Sequence, residues 1–319
     1  MNLENLNSFL TIGCYLDYKN DGIAIDVSNI DKQKYENVDK KELIKIGAEL
    51  WRESIFYNFQ DNQQHSVPIS EGLDSRAVLE GLLEYTEVKN IHTSTIGTPN
   101  ALDYDIGKYV AKKIGTQHIS FYLTKHTYKQ NEIEDISKRI QYQAVLFHHW
   151  PVWEVDKRFN GCIQWSVYFG ETLTGNHMLA TPSFTIEEAR KQFIKKNSYA
   201  KSIDLTNGSD FSNLIECNCI SKDDLTLDEQ LDFQNRQTKY IAPIVLMKGY
   251  DYKTPFLCQS WIDFILSVSS SLRKDQALYK KYYFTVSQRN LVTKQKQTLD
   301  YLLKHLKMQY LLKEWLINF

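Results

Sequence analysis

The amino-acid sequence predicts an α/β protein in which a parallel β-sheet is flanked by helices and the C-terminal part is helical. Strand-like and helix-like segments alternate between residues 65 and 123, which is the first observation. A further strand candidate, GCIQWSVYF, spans residues 161–169, and the pattern beyond residue 125 is otherwise mainly helical. Such alternation is typical of parallel sheets whose strands are joined by right-handed helical crossovers.

The individual elements follow from hydrophobic spacing. A first helix is predicted in KKELIKIGAELWRESIFYNF, where apolar residues recur at helical spacing. The alternating region then reads strand HSVPIS, helix DSRAVLEGLLEY, strand NIHTSTIG, helix YDIGKYVAKKIG and strand QHISFYL. Ligands of such sheets bind at the carboxyl ends of the strands, where the strand order reverses. The loops after Ile69, Ile96 and Leu123 are therefore the candidate ligand-binding loops.

The remaining segments carry weaker patterns. Residues 1 to about 40 read as short irregular or strand-like pieces, and residues 181–221 read as a polar loop or lid. The amphipathic segment 298–319 predicts a packed terminal helix or an oligomer contact. We expect an N-terminal lead-in segment with its helix at 1–60 and the main domain, with a helical cap, at 61–319.

Composition narrows the function classes. Lys and Arg number 38 against 39 Asp and Glu, so the net charge of -1 lacks the positive field that nucleic-acid binding requires. No apolar run approaches the ~20 residues of a membrane span. Five scattered Cys residues and a start without the basic and apolar regions of a signal peptide predict a cytoplasmic protein.

One strand-loop-helix segment carries the chemistry. Residues 67–78 read VPISEGLDSRAV, in which Ser70, Gly72 and Ser75 offer hydroxyls and backbone N–H groups at the start of a helix. This arrangement suits a pyrophosphate, and Asp74 adds a hard oxygen ligand for Mg²⁺. An ordinary capped helix, with Asp74 or Ser75 as the N-cap, explains the six loop residues equally well.

The same segment resembles the Ser-Gly-Gly-Leu-Asp-Ser pyrophosphate loop of the N-type ATP pyrophosphatases, which include asparagine synthetase and β-lactam synthetase. The resemblance implies the adenine nucleotide α-hydrolase-like, or PP-loop, fold. Glu71 departs from the family pattern because it replaces the first Gly. A carboxylate ~5 Å from a phosphate charge costs ~3 kcal/mol at an effective dielectric near 20. Glu71 therefore turns away, binds Mg²⁺, or marks a loop that has lost ATP.

Two further segments resemble asparagine synthetase. HTSTIGTPNALDYDIGKYVAKKIGTQH is similar to its second strand and helix, where the backbone matching Ile69, Ile96 and Gly97 borders the adenine. QWSVYFGETLTGNHM is similar to a loop with the pattern Ser-Gly-x-Gly-x-Asp-Glu. Ser166 matches its Ser, and Glu171 matches the Asp that is the family's second Mg²⁺ ligand.

Tyr168 lies in this second loop, where asparagine synthetase has a catalytic Glu. The β-lactam and carbapenam synthetases have Tyr there, paired with a Glu so that it acts as a base toward the attacking amine. The resemblance implies this role for Tyr168, with Glu229 or Asp232 as the carboxylate partner. A core Tyr with a satisfied hydroxyl is the structural alternative.

A third motif, YDYKTPFLCQSWIDFILSVSSSLRKDQALYKKYY, is similar to the family's C-terminal signature. The family's Lys in this motif stabilises charge on the acyl-adenylate and during its breakdown. Lys280 is the best match, and Lys274 and Lys281 are close competitors. With these motifs in order, the resemblance extends over about residues 40–290.

The resemblance implies an ATP-dependent amide-forming ligase with ATP and Mg²⁺ as cofactors. It would adenylate a small-molecule or peptide carboxylate and pass the acyl group to an amine. We expect no glutaminase domain in this protein, because the chain has Asn2 where glutamine-dependent relatives have a catalytic Cys. We expect free ammonia, a separate glutaminase or the substrate's own amine as the nitrogen source.

Two alternatives stand beside this prediction. A catalytically degenerate relative would bind a nucleotide or a protein partner without turnover, which Glu71 favours. Sulfur transfer by a related pyrophosphatase is disfavoured because no Cys lies beside the loops described.

Overall fold

A computed structural model describes residues 3–19, 23, 25–143, 150–199, 210–218 and 224–287. Within these ranges a five-stranded sheet forms the centre. Its strands are β1 (His65–Pro68), β2 (Ile91–Gly97), β3 (Gln117–Tyr122), β4 (Ile163–Trp165) and β5 (Tyr252–Lys253). All four neighbouring pairs are parallel, and the strand order is β3-β2-β1-β4-β5. The predicted parallel sheet is confirmed.

The strand order reverses at β1. From β1 the chain proceeds outward through β2 and β3, and it then returns to place β4 on the other side of β1. His65 of β1 pairs with Ile91 of β2 on one side and with Ile163 of β4 on the other. The carboxyl ends of β1 and β4 therefore border the crevice where parallel sheets bind ligands.

Helices cover the sheet. The N-terminal helices are α1 (Leu3–Ile12), α2 (Lys40–Asn58), α3 (Leu73–Leu82), α4 (Leu102–Ile114), α5 (Gln130–Arg139) and α6 (Trp150–Arg158). The later ones are α7 (Gly170–Leu173), α8 (Ile186–Asn197), α9 (Leu227–Leu231), a π-helix (Asp232–Ile241), α10 (Ala242–Val245), α11 (Gln259–Ser267), α12 (Ser270–Arg273) and α13 (Ala277–Ser287). The predicted helices around residues 40–59, 74–85 and 104–115 and the helical C-terminal character are confirmed.

The main hydrophobic core joins the sheet to the helical part. Trp51 and Ile55 are four residues apart on α2, so they lie on one helix face, and both are buried. Trp51 packs against the rings of Phe256 and Trp261, whose ring centroids lie 4.6 and 5.4 Å away. The lead-in helix and the C-terminal helices thus share one core.

Two sequence expectations were wrong. The prediction of irregular or strand-like pieces near the N-terminus missed α1, in which polar residues such as Asn5 and Ser8 occupy the buried face. The Ser8 hydroxyl instead donates to the backbone oxygens of Asn5 and Cys14. The polar region 181–221 contains α8, which begins with a capping box formed by Thr185 and Glu188.

The amphipathic segment 298–319 lies outside the described residues. In the described part of the chain, no helix combines the length and apolar character needed to cross a bilayer.

Candidate active site

Two serine hydroxyls of the loop after β1 accept hydrogen bonds from backbone N–H groups of the same loop. The Ser70 N–H donates to Oγ of Ser75 over 3.3 Å, and the Gly72 N–H donates to Oγ of Ser70 over 3.1 Å. The two hydroxyl oxygens are 3.4 Å apart at the N-terminal end of α3. Hydroxyls and unpaired helical N–H groups at such an end attract anions. The predicted pyrophosphate loop has a geometry that suits this ligand.

Arg76 binds two backbone carbonyl oxygens of the loop. Its guanidinium donates from Nη2 to the Glu71 carbonyl oxygen over 2.9 Å and from Nε to that of Gly72 over 3.2 Å. The Glu71 residue is exposed and does not belong to the lining of the adjacent cavity, whereas Ser70, Gly72, Asp74 and Ser75 do. Of the alternatives for Glu71, this position fits a side chain that turns away.

The loop after β4 meets this loop directly. Phe169 has the left-handed backbone conformation, with φ of 70°, which is strained for an aromatic residue. Gly170 follows, and a Cβ atom there would lie 2.3 Å from Oδ2 of Asp74. The absence of a side chain at Gly170 therefore allows α7 to approach the Asp74 carboxylate.

Asp74 is a buried carboxylate with unused bonding capacity. It is 5% exposed, and its Oδ1 accepts no hydrogen bond from any residue that the structure describes. Burial, with a smaller contribution from the Glu171 charge, raises the pKa of Asp74 to about 7, although Tyr279 and His177 oppose this shift. Because a bound cation would stabilise the ionised form, the environment of Asp74 suits a metal ligand.

His177 joins the second loop to the helical part. Its Nδ1 lies 3.0 Å from Oδ2 of Asp232, and its Nε2 lies 3.6 Å from Oε2 of Glu171. Hydrogen bonds with Asp232 and then Glu171 raise the pKa of His177 to about 9, and the contact with His177 lowers the pKa of Glu171. The histidine is therefore a cation at neutral pH. Sequence analysis did not single it out, although it lies in the segment GETLTGNHM.

A cavity of about 430 Å³ opens above the strand ends. It is lined by residues of both loops and of the π-helix, including Ser70, Asp74, Ser75, Ser166, Tyr168, Glu171, His177, Arg236, Gln237 and Ile241. A smaller cavity of about 80 Å³ shares Thr172 and His177 with it. The structure thus brings together the predicted loop residues, Ser166, Tyr168 and Glu171 around one space.

Two carboxylates line this cavity. They suit Mg²⁺ rather than a metal ion that is held by protein side chains alone. No group of three or more His, Cys, Asp and Glu side chains that could hold a metal ion occurs in the part of the chain that the structure describes. Mg²⁺ is commonly held by one or two carboxylates and completes its six oxygen ligands with water and substrate phosphates. Asp74, with its unpaired Oδ1, and Glu171 suit that role.

Tyr168 does not have the predicted carboxylate contact. Its hydroxyl donates to the backbone oxygen of Gln237 over 2.9 Å, and burial, together with the Asp232 charge, raises the pKa of Tyr168. Glu229 instead forms a buried ion pair with Arg273, with Nη2 and Oε1 2.8 Å apart. Asp232 binds His177. The structure therefore corrects the prediction that Glu229 or Asp232 is the carboxylate partner of Tyr168.

Lys280 lies outside the cavity. Its side chain is exposed, and its Nζ donates to the backbone oxygen of Asp275 over 2.8 Å. Helix α13 instead directs Tyr279 toward Asp74, which moves the next residue to another face. The cationic side chains among the described lining residues are His177 and Arg236, neither of which the sequence analysis selected.

The predicted adenine contacts lie at neighbouring strand ends. Ile69 follows β1, and its carbonyl oxygen accepts a hydrogen bond from Oγ1 of Thr95 over 3.0 Å. Ile96 and Gly97 end β2, where they pair with Phe121 and Tyr122 of β3. None of these three residues belongs to the lining of the cavity.

Comparisons with known proteins add no family to this geometry. No protein-family model matches the sequence, and no curated protein matches it significantly.

Proposed function

We propose that this chain is an ATP-dependent amide-forming ligase with the PP-loop fold. One observation carries the proposal. At the switch point of the parallel sheet, the loops after β1 and β4 converge on a single cavity and place the Ser70–Ser75 anion-binding loop, Asp74 and Glu171 around it. An anion-binding loop and two carboxylates suited to Mg²⁺ are what a nucleoside triphosphate requires.

The proposed reaction has two steps. In the first, an oxygen of the substrate carboxylate bonds to the α-phosphorus of ATP while the bond to the β-phosphate oxygen breaks and pyrophosphate leaves. In the second, an amine nitrogen bonds to the acyl carbon, AMP leaves with the electron pair of the broken carbon–oxygen bond, and the amine gives up a proton. Mg²⁺, when bound by Asp74 and Glu171, supplies charge neutralisation for the phosphates.

Each wall of the cavity has a proposed task. The hydroxyls of Ser70 and Ser75 and the N-terminal end of α3 hold the leaving pyrophosphate, and Ser166, after β4, lines the same cavity. Tyr168, which lines the cavity, has the task of handling the proton of the amine. Glu229 is excluded from this task since Arg273 binds its carboxylate.

The amine donor is ammonia, an amine within the substrate, or ammonia from a separate glutaminase. Because the reaction consumes ATP, we also propose a cytoplasmic location.

The experiment is substrate-dependent exchange of labelled pyrophosphate into ATP, screened over amino acids and other carboxylic acids. A ligase that forms an acyl-adenylate exchanges label only when its carboxylate substrate is present. MgATP binding is measured in parallel by calorimetry and by the rise in melting temperature that a ligand of the native state causes. Absence of both binding and exchange contradicts the proposal.

A second candidate function is nucleotide binding without turnover. The position of Lys280 favours it, because the cation expected to stabilise the acyl-adenylate lies outside the cavity. This candidate predicts MgATP binding without pyrophosphate exchange for any carboxylate. The same pair of measurements therefore separates the two functions.

A further inference from the structure

The π-helix Asp232–Ile241 forms one wall of the cavity in an unusual way. Hydrogen bonds in a π-helix connect residues five apart, and the N–H of Ala242 accordingly donates to the Gln237 carbonyl oxygen. One such turn separates Arg236 from Ile241, and both side chains line the cavity. Stretches of π-helix are frequent at functional sites because they direct side chains that an α-helix would place elsewhere.

Arg236 is held in place by an aromatic ring. The central carbon of its guanidinium lies 3.7 Å from the centre of the Tyr240 ring, which is a close stacking contact. Tyr199 is a further neighbour: burial raises the pKa of its hydroxyl, while the Arg236 charge and a hydrogen bond with Arg236 oppose that shift. Stacking fixes the plane of the guanidinium and leaves its edge for hydrogen bonds in that plane.

One nitrogen of this guanidinium has no hydrogen-bond partner among the described residues. Nη1 of Arg236 is buried and donates to no residue among those that the structure describes. Leaving such a charged donor unpaired is costly, and an anion would remove that cost. His177, the other cation on the described lining, already contacts Asp232 and Glu171. Lys239, nearby on the same helix, is paired with Glu216 at 3.0 Å.

We infer that Arg236 binds the carboxylate group of the acyl substrate in this cavity. The inference rests on the proposed function, and it names the residue that recognises the second substrate. Because Arg236 adjoins Gln237, whose carbonyl oxygen accepts from Tyr168, the bound carboxylate lies on the side of the cavity that Tyr168 lines. Arg236 then supplies the positive charge that the C-terminal motif predicted for Lys280.

The test uses acetate as the carboxylate probe and acetamide as its uncharged counterpart of the same shape. Binding to the full chain is measured by saturation-transfer NMR in the presence of Mg²⁺ and a non-hydrolysable ATP analogue. We expect acetate and not acetamide to bind the wild type. Arg236→Gln should weaken acetate binding by about tenfold or more, as loss of a charge-assisted hydrogen bond does.

Three further variants serve as comparisons for the Arg236→Gln measurement. Arg236→Lys keeps the charge but loses the planar pair of donors, so its affinity should fall between those of the wild type and Arg236→Gln. Arg158→Gln removes an exposed arginine at the end of α6, and Lys280→Met removes the exposed lysine of α13. Both controls should bind acetate as the wild type does. Thermal unfolding identifies any variant that fails to fold.

Two results overturn the inference: the wild type binds no acetate, or Arg236→Gln and Arg158→Gln bind it equally. Binding of the ATP analogue is measured separately on the same samples. If the analogue fails to bind while acetate binding still depends on Arg236, the proposed ligase function fails and the anion site stands. If the analogue binds and acetate binding does not depend on Arg236, the inference alone fails.

Discussion

The strand-end loops and the C-terminal helices differ in how their buried carboxylates are paired. In the helical part, Glu229 binds Arg273, whose Nη1 alone lacks a partner among the described residues, and the Gln276 amide donates to Thr174. At the strand ends, Oδ1 of Asp74 accepts no hydrogen bond from a described residue, and Phe169 has a strained backbone. Groups that satisfy one another maintain the fold, whereas groups left unsatisfied indicate where a ligand binds.

The largest effect should come from breaking the helical part. Glu229→Gln leaves the Arg273 guanidinium, which is 0% exposed, without its carboxylate, and removing one partner of a buried pair costs about 3–5 kcal/mol. Chemical denaturation measures this loss. Glu42→Gln, in an exposed pair with Lys45, is the matched control and should leave the stability nearly unchanged. Equal stability of the two variants would contradict the assignment of Glu229 to the fold.

Gly170→Ala tests the contact between the two loops. The new Cβ would lie 2.3 Å from Oδ2 of Asp74, so the loops must separate, at a cost of about 1–3 kcal/mol. Calorimetric unfolding should show the loss, and MgATP binding should weaken with it. Adding Asp74→Ala removes the obstructing carboxylate and should recover much of the stability without recovering Mg²⁺-dependent binding. A double variant no more stable than Gly170→Ala would argue against this contact.

Asp74→Asn should separate stability from binding at the strand ends. The pKa of Asp74 in the folded protein, about 7, exceeds that of an unfolded Asp, so the folded state holds this proton more tightly. Stability from this group is therefore full below pH ~4 and is lost as pH rises through 7. In Mg²⁺-free buffer, Asp74→Asn should gain stability relative to the wild type over that interval, while Mg²⁺-dependent nucleotide binding falls. A pH-independent difference would be the contrary result.

Tyr168→Phe should have a modest effect on the fold. It removes the hydrogen bond to the Gln237 carbonyl, worth about 1 kcal/mol, with little change in volume. Pyrophosphate exchange should survive, and amide formation should fall by about 10²- to 10⁴-fold if the hydroxyl handles the amine's proton. Unchanged amide formation would make Tyr168 a packing residue, and loss of exchange would place it in the ATP site.

Lys280→Met should have the smallest effect. The side chain is exposed and contacts the backbone of its own segment, so stability should change by less than about 0.5 kcal/mol. MgATP affinity should be unchanged, as calorimetry can show. A large loss of pyrophosphate exchange in this variant would return Lys280 to the role that the motif implied.

Local sequence predicted the strand-end loops well because the determinants of a strand-loop-helix unit are adjacent in the chain. Ser70, Asp74 and Ser75 lie within six residues of one another, and parallel pairing then brings Glu171 to the same cavity. The two-residue strand β5 was not predicted, since no periodicity exists over so short a segment.

The helical contribution was harder to predict. A helical residue faces the cavity or the solvent according to the rotation of its helix, so a match displaced by one residue selects the wrong face. Lys280 and Tyr279 illustrate this: they are adjacent, yet only Tyr279 lies near Asp74. The positions of Arg236 and Gln237 depend on π-helical geometry, which no hydrophobic period of 3.6 residues reveals.

The π-helix also bears on how the chain tolerates changes in length. Deleting one residue between Asp232 and Ile241 would let the backbone adopt the more favourable pairing of residues four apart. Since each helical residue contributes a rotation of roughly 100°, the deletion would also turn Arg236 or its neighbours away from the cavity. Selection of a deletion library for heat resistance should therefore enrich shortened chains at this segment, and selection for ligand capture should deplete them. The length of this π-helical segment would then indicate whether stability or ligand binding had been selected.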